Sequence, residues 1–145
     1  MFWYCVGMET ELGYLGLSIK RIQARHHRVL DERLAPLGVS LVQWDALRHL
    51  HENPDASLHD LALLTFQTDQ SCGALAARMI DRGLITRRPA GRAIRHTLTP
   101  QGERLRQLAG LVVDTALEES FSPLDSAQRA QLTHLLAKLL EDGQR

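Results

Sequence analysis

Apolar residues recur every three or four positions near the amino terminus, a spacing that predicts an amphipathic α-helix over residues 9–37. The stripe consists of Leu12, Leu15, Ile19, Ile22, Val29, Leu30 and Leu34. Pro36 and Gly38 should end this helix, because both residue types interrupt helical geometry. A second helix is expected over residues 41–51, with Ser40 as its N-cap and Trp44 in the core.

The middle of the chain predicts shorter elements. One helix is expected over residues 57–64, with Ser57 as N-cap, and another over residues 69–82, capped by Thr68 and ended by Gly83. Two β-prone runs then flank a Pro-Ala-Gly-Arg turn, which predicts a hairpin over residues 84–98. Two helices joined by a tight turn and followed by a hairpin are typical of a winged helix-turn-helix, whose second helix can enter the DNA major groove.

Helical spacing returns after the hairpin. A helix opened by Thr99 should reach about residue 120, and Ser122-Pro123 should open a last one. The residues expected to face inward on the first of these are Leu105, Leu108, Leu111, Val112 and Leu117. The apolar residues of the last are Leu124, Leu132, Leu135, Leu136, Leu139 and Leu140.

Leucines this close to the carboxyl terminus are difficult to bury in a monomer of this size. The pattern therefore predicts a mainly α fold with a small β wing, in which helices over residues 9–37 and 101–143 form a two-fold dimer interface. The winged helix-turn-helix lobe would span residues 40–100 of a single domain, residues 1–145. The alternative is that the terminal helices pack within one chain.

Charge is distributed unevenly along a chain whose formal net charge is zero. Residues 57–100 contain six Arg/Lys and three Asp/Glu, a net charge of +3, whereas the segments on either side are slightly acidic. From Arg78 to Arg95 there are six arginines against one acid, Asp81. A local basic patch on a neutral protein suits a surface that contacts duplex DNA. The alternative is a solvated basic surface.

Other classes of protein have little support in the sequence. It lacks a Gly-rich phosphate loop, a nucleophile elbow and an HExxH motif, so neither an enzyme nor a cofactor is expected. The seven histidines include no HxxxH pair, and no metal site is predicted. No apolar run approaches the roughly 20 residues of a membrane span. The apolar start lacks the basic residues of a signal peptide, and translation could begin at Met8.

Two cysteines without paired spacing indicate a reducing cytoplasm. Cys72 falls where a winged helix packs an apolar residue, so it should be a small buried hydrophobe. Cys5 precedes the first helix, near Tyr4 and Tyr14, and a role in sensing oxidants is left open there.

Five segments in order resemble the multiple antibiotic resistance regulator (MarR) family. They are Leu34-Ala-Pro-Leu-Gly-Val-Ser-Leu-Val-Gln-Trp-Asp-Ala-Leu47, Asn53-Pro-Asp-Ala-Ser57, Leu61-Ala62, Met79-Ile-Asp-Arg-Gly-Leu-Ile-Thr-Arg-Arg88 and Leu98-Thr-Pro-Gln-Gly102. The resemblance implies a homodimeric, triangular, mostly helical repressor or activator that binds palindromic operators on double-stranded DNA. It also implies release by small phenolic or carboxylate ligands, by metals or by oxidants.

The chain departs from the family at two places. The hairpin tip lacks the acidic residue that usually precedes the wing arginine, for which Arg92 is the nearest match. Ala74 stands where the second helix of the motif often has a basic residue, so base readout should depend on Asp69, Gln70, Ser71 and Gly73. The full set of expected DNA contacts is Ser57, Thr68, Asp69, Gln70, Ser71, Gly73, Arg78, Arg87, Arg88, Arg92 and Arg95.

By region rather than by motif, the resemblance also implies that His26, Trp44 and Arg48 line an effector pocket between the dimer layer and the DNA lobe. The sequence therefore predicts a cytoplasmic, homodimeric DNA-binding regulator modulated by a small effector. The alternative is a winged-helix protein-interaction module or antirepressor without DNA binding, for which the zero net charge and the short wing would be the support.

Overall fold

The computed structural model describes residues 10–142, so Cys5 and Met8 lie outside the described residues. The elements in chain order are α1 (Glu11–Leu34), a 3-10 turn (Ala35–Leu37), α2 (Leu41–Glu52), α3 (Leu58–Leu64), α4 (Asp69–Asp81), β1 (Ile85–Ala90), β2 (Ala93–Leu98), α5 (Pro100–Phe121) and α6 (Ser126–Asp142). The two strands form one antiparallel sheet. The prediction of a mainly α fold with a small β wing is confirmed.

Hydroxyl side chains start five of these helices, and the first is Thr10, which caps α1 by accepting from the Gly13 amide at 3.0 Å. Ser40, Ser57, Thr68 and Thr99 each accept a hydrogen bond from the backbone amide three residues further on. This contact satisfies an amide that the helix itself leaves unpaired. At Ser40 and Ser57 the bond is reciprocal, because the side chains of Gln43 and Asp60 return to the capping residue's own amide. The sequence-predicted starts of α2, α3 and α4 are therefore confirmed.

The two helices of the helix-turn-helix end in the same way with different residues. After α4, Gly83 has φ +71°, and the Leu84 amide donates to the Met79 carbonyl, as in a Schellman motif. After α3, the Gln67 amide donates to the Ala62 carbonyl in the same pattern, but the left-handed residue is Phe66, with φ 55°. An aromatic residue thus occupies a conformation that favours glycine.

Buried residues form two clusters. One lies within the helix-turn-helix lobe and includes Leu47, Leu61, Met79, Leu84 and Ile85, each almost completely buried. The other lies between α1, α2 and α5, and consists of Leu30, Leu34, Val39, Ala109, Val113 and Ala116. Leu105 packs against both clusters, so α5 connects the lobe to α1.

The base of the wing meets the start of α5 at a close backbone junction. The Thr99 amide donates to the Leu84 carbonyl at 3.0 Å, and the Thr99 hydroxyl donates to the Gly83 carbonyl at 2.6 Å. The same hydroxyl accepts from the Gly102 amide at 3.0 Å. A Cβ atom on Gly102 would lie 1.9 Å from the Leu84 carbonyl oxygen, so only glycine fits there.

Two expectations about the last helices were wrong, the first of them only in part. Of the residues expected to face inward on α5, Leu105, Val112 and Leu117 pack against the buried clusters, whereas Leu108 and Leu111 are exposed. The fully buried residues of α5 are Gly102, Ala109, Val113 and Ala116. Small side chains let α1 approach α5 closely, and the larger leucines face away from this protomer. The last helix begins at Ser126 rather than at Ser122-Pro123, because Asp125 caps it by accepting from the Gln128 amide at 2.8 Å.

Gly102 and Gly110 offer a matched test of this packing within α5. Gly102→Ala should destabilise the fold by about 3 kcal/mol or more, because the backbone of Leu84 cannot move aside without breaking the junction. Gly110→Ala should instead stabilise it by about 0.5–1 kcal/mol through helix propensity, since its Cβ would meet only Trp44 Nε1, at 3.9 Å. Chemical denaturation measures both, and equal effects would contradict the junction.

Candidate nucleic-acid interface

The second helix of the motif, α4, divides cleanly into a buried and an exposed face. Cys72, Leu75, Ala76 and Met79 are buried, which confirms the expectation for Cys72. Burial, followed by the nearby charge of Asp69, raises the pKa of the Cys72 thiol. Gln70, Ala74 and Arg78 lie four residues apart and are all exposed, so they form one stripe along the opposite face.

The predicted contacts at the helix starts are partly engaged in capping. The Ser57 hydroxyl accepts from the Asp60 amide at 3.0 Å, and hydrogen bonds from Ser57 hold the pKa of the Asp60 carboxyl below its usual value. The Thr68 hydroxyl accepts from the Ser71 amide at 3.1 Å and donates to the Ser71 hydroxyl at 3.0 Å. Ser71 keeps its own hydroxyl hydrogen for an outside acceptor, whereas Gly73 is half-buried against Leu58.

An ion pair that sequence analysis missed joins the two helices of the motif. His59, in the first turn of α3, contacts Asp69, the first residue of α4, with 2.8 Å between Nδ1 and Oδ1. The hydrogen bond to Asp69 and the Asp69 charge, with a smaller contribution from Asp60, raise the pKa of His59. The pairing depends on how α3 and α4 pack together, so helical periodicity alone carried no signal for it.

The wing is a tight hairpin with arginines on both of its faces. Gly91 and Arg92 alone connect the paired residues Ala90 and Ala93, so the turn is shorter than the predicted Pro-Ala-Gly-Arg. Gly91 has a φ of +62°, whereas the φ of Arg92 is not positive, as in a type II′ turn. The exposed Arg92 therefore sits at the tip of the wing.

Arg88 and Arg95 lie directly opposite each other on one face of the hairpin. Arg88 donates from Nε to the Thr97 hydroxyl at 2.9 Å, and its Nη2 lies 3.7 Å from Asp55, which is almost fully exposed. Arg95 donates to the carbonyl of its neighbour Ile94. Like charges directly opposite each other on a sheet repel, so this arrangement favours binding of an anion.

Arg87 lies on the other face, because neighbouring strand residues point in opposite directions. It is paired with His96, which is 7% exposed and faces the groove between α4 and the hairpin. Burial, followed by the charge of Arg87, lowers the pKa of His96. The arginines of the hairpin are therefore divided between its two faces. His96 was also missed, although it stands at an inward position between Ile94 and Leu98.

A cavity of about 390 Å³ lies between α1 and the end of α5. Its lining residues are Arg25, His26, Val29, Leu30, Arg33, Ala116, Leu117, Glu119, Ser120 and Pro123. His26 Nε2 lies 2.5 Å from the Ser120 hydroxyl, and burial, followed by the charge of Arg25, lowers the pKa of His26. Arg33 forms an ion pair with Glu119 across the same cavity.

Trp44 and Arg48 are not among the residues that line this cavity. Trp44 Nε1 donates to the Arg106 carbonyl at 3.2 Å, and its ring packs against the cluster between α1 and α5. Arg48 stacks 5.9 Å from the Trp44 ring centroid and pairs with Asp45 and Glu52. The structure thus separates His26 from Trp44 and Arg48, because Trp44 is held in the core.

Two kinds of feature are absent from residues 10–142. No described group of three or more His, Cys, Asp or Glu side chains could hold a metal ion. None of the helices in this part of the chain is both long and apolar enough to cross a membrane.

A capped helix pair, an exposed second helix and an arginine-bearing hairpin define a winged helix-turn-helix protein. A sequence profile of the MarR family matches residues 37–95. The HTH-type transcriptional repressor Rv2887 of Mycobacterium tuberculosis is 30% identical over 138 residues, which cover 92% of this chain and 96% of the relative. The chain therefore belongs to the MarR family.

Solved structures agree with this assignment. The M. tuberculosis MarR family protein Rv2887 in complex with DNA is 29% identical and has a TM-score of 0.75, covering 90% of this chain and 98% of that one. The same protein in complex with salicylic acid has a TM-score of 0.71 at 29% identity, covering 86% and 97%.

Proposed function

We propose that this chain is a sequence-specific DNA-binding transcriptional repressor that acts in the cytoplasm as a homodimer on an inverted-repeat operator. The observation that carries the proposal is the exposed stripe of Gln70, Ala74 and Arg78 on α4, flanked by a wing on which Arg88 and Arg95 lie directly opposite each other on one face. The helix suits the major groove, and the wing suits the adjacent phosphates.

The family relatives support this proposal. Rv2887 is named a transcriptional repressor, and its structure in complex with DNA has the fold of this chain over nearly its whole length. Gln70 can pair bidentately with adenine, while the wing arginines contact the backbone without reading sequence. A residue that reads bases together with residues that contact the backbone distinguishes the proposed repressor from a winged-helix module that binds only protein.

Loss of a wing arginine should weaken DNA binding at every sequence. Arg92→Ala and Arg95→Ala should each lower the slope of log affinity against log salt by about one unit, because each removes about one phosphate contact. Arg104→Ala, an exposed arginine on α5, is the matched control and should leave the slope unchanged. Fluorescence anisotropy across a salt series measures this. Unchanged binding in both wing variants would favour the protein-interaction module.

The terminal helices support the homodimer. No α6 residue of described exposure is buried, and only Leu132 is half-buried, although the helix carries four exposed leucines: Leu135, Leu136, Leu139 and Leu140. Leu12, Leu15, Ile19 and Ile22 on α1 and Leu108 and Leu111 on α5 are also exposed. Apolar area this extensive needs a cover, and a second copy supplies it by exchanging the same helices about a two-fold axis.

Charged substitutions in α6 should separate the dimer. Leu136→Asp with Leu139→Asp should convert a sedimenting species of two chains to one, because a buried carboxylate without a partner costs several kcal/mol. Leu63→Asp is a matched control, since Leu63 and Leu139 are both 63% exposed but Leu63 lies on α3 in the DNA lobe. The control should remain dimeric. A wild-type mass of one chain, or equal dissociation of the control, would refute the interface.

We further propose that the cavity between α1 and α5 binds a small aromatic carboxylate that releases the repressor from DNA. Its walls combine apolar groups from Val29, Leu30 and Leu117 with a cation at Arg25. Arg33 is already paired with Glu119, so Arg25 is the cation available to a carboxylate. The salicylic acid complex of Rv2887 supports this class of ligand.

Arg25→Ala should raise the salicylate concentration that releases half of the bound DNA by about tenfold, the value of one charge-assisted hydrogen bond. Arg28→Ala is the control, because Arg28 is exposed on the same helix but does not line the cavity. Competition anisotropy with salicylate tests both. Identical release curves for Arg25→Ala and wild type, or no release of wild type, would remove the effector assignment.

A further inference from the structure

The first residue of α4, the recognition helix proposed to enter the major groove, is an acid. Asp69 begins α4, and its side chain is 68% exposed. An exposed carboxylate there repels the DNA backbone, so it weakens binding at most sequences. A carboxylate in the first turn interacts favourably with the helix dipole, and it can also bind DNA where the groove offers a hydrogen-bond donor.

One base supplies such a donor in the major groove without a competing acceptor. Cytosine presents the N4 amino group, whereas guanine presents the N7 and O6 acceptors and thymine the O4 acceptor. Adenine presents a donor beside an acceptor, a pattern that suits an amide better than a carboxylate. A carboxylate at the start of a recognition helix therefore discriminates in favour of cytosine.

His59 leaves one oxygen of this carboxylate available for such a contact. His59 Nδ1 lies 2.8 Å from Asp69 Oδ1, and His59 is itself 65% exposed on α3. The contact fixes the rotamer of Asp69 from the neighbouring helix, while Oδ2 stays available to an outside donor. When His59 is protonated, its positive charge also reduces the repulsion between Asp69 and the DNA phosphates.

We propose that Asp69 reads a cytosine at one symmetric pair of operator positions, and that His59 is the positioning residue that orients Asp69 for this contact. The inference rests on the proposed function, since it assigns a base to the DNA surface described above. It also assigns a role to His59, which neither caps a helix, nor packs in the core, nor belongs to the wing.

The pair should make recognition depend on pH. The groups that face His59 are Asp69 from α4 and Asp60 from α3, and the charge of Arg95 on β2 reaches Asp60. Because these carboxylates raise the pKa of His59, the charged contact is complete below the ordinary histidine value of about 6.5 and is lost as pH rises through the raised value. Cytosine preference should therefore be stronger at about pH 6 than at about pH 8.5.

Selection of binding sites from random DNA tests the inference, with full-length wild type, Asp69→Asn and His59→Gln at both pH values. Asp69→Asn should change the preferred base at that pair of positions from cytosine to adenine, which an amide pairs with bidentately. The change in preference should be at least about fivefold, while binding to nonspecific DNA stays equal or tightens. A purely structural role for Asp69 would lower both together.

His59→Gln should keep cytosine as the preferred base, reduce its preference several-fold at about pH 6, and abolish the dependence on pH. His27→Gln is the control, because His27 forms a partly exposed histidine–aspartate contact with Asp31 on α1, at 3.2 Å, away from α3 and α4. It should select the wild-type motif at both pH values. If wild type and Asp69→Asn select the same inverted repeat, this inference alone is overturned. If wild type selects no sequence at all, the inference is overturned together with the proposed function.

Discussion

The close contact between the first turn of α5 and the carbonyl of Leu84 fixes how the two halves of the protein are joined. Leu84 ends the Schellman motif of α4 and begins the wing, and its carbonyl accepts the Thr99 amide that starts α5. The end of the recognition helix, the base of the wing and the start of α5 thus share one backbone junction. Because the backbones of Gly102 and Leu84 are in close contact there, we expect these three elements to shift together.

This junction gives α5 its role in the molecule. Leu105, one turn beyond Gly102, packs against both buried clusters, and Trp44 on α2 donates to the carbonyl of Arg106. Further along α5, Ala116 and Ser120 line the cavity with α1. A ligand that moves α1 relative to the end of α5 therefore acts on a rigid element whose other end holds the wing. Packed side chains, rather than a flexible linker, would carry such a displacement.

Local chemistry could be predicted from the sequence more fully than packing. Helix starts at Ser40, Ser57 and Thr68 were found because each depends on one hydroxyl and an amide three residues away. The buried face of α5 was predicted incorrectly in part, because Leu108 and Leu111 face away from the protomer while Ala109 and Ala116 face α1. Periodicity detects an apolar face, but it cannot divide that face between the core and a partner. Pairs such as His59 with Asp69 depend on how two helices pack together, which no spacing rule describes.

The recognition surface combines few strong donors with one acid. Ala74 and Ala77 present little side-chain bulk, so in the proposed complex the α4 backbone would approach the bases closely, while attraction to DNA would come mainly from arginines that read no sequence. In such an arrangement, specificity must come from penalties at wrong sites as much as from gains at the right one. The proposed contact of Asp69 would impose a penalty of this kind, because a carboxylate is repelled wherever the groove presents only acceptors. The zero net charge of the chain acts in the same direction, since it limits the long-range attraction to any duplex and leaves discrimination to contacts at the helix itself.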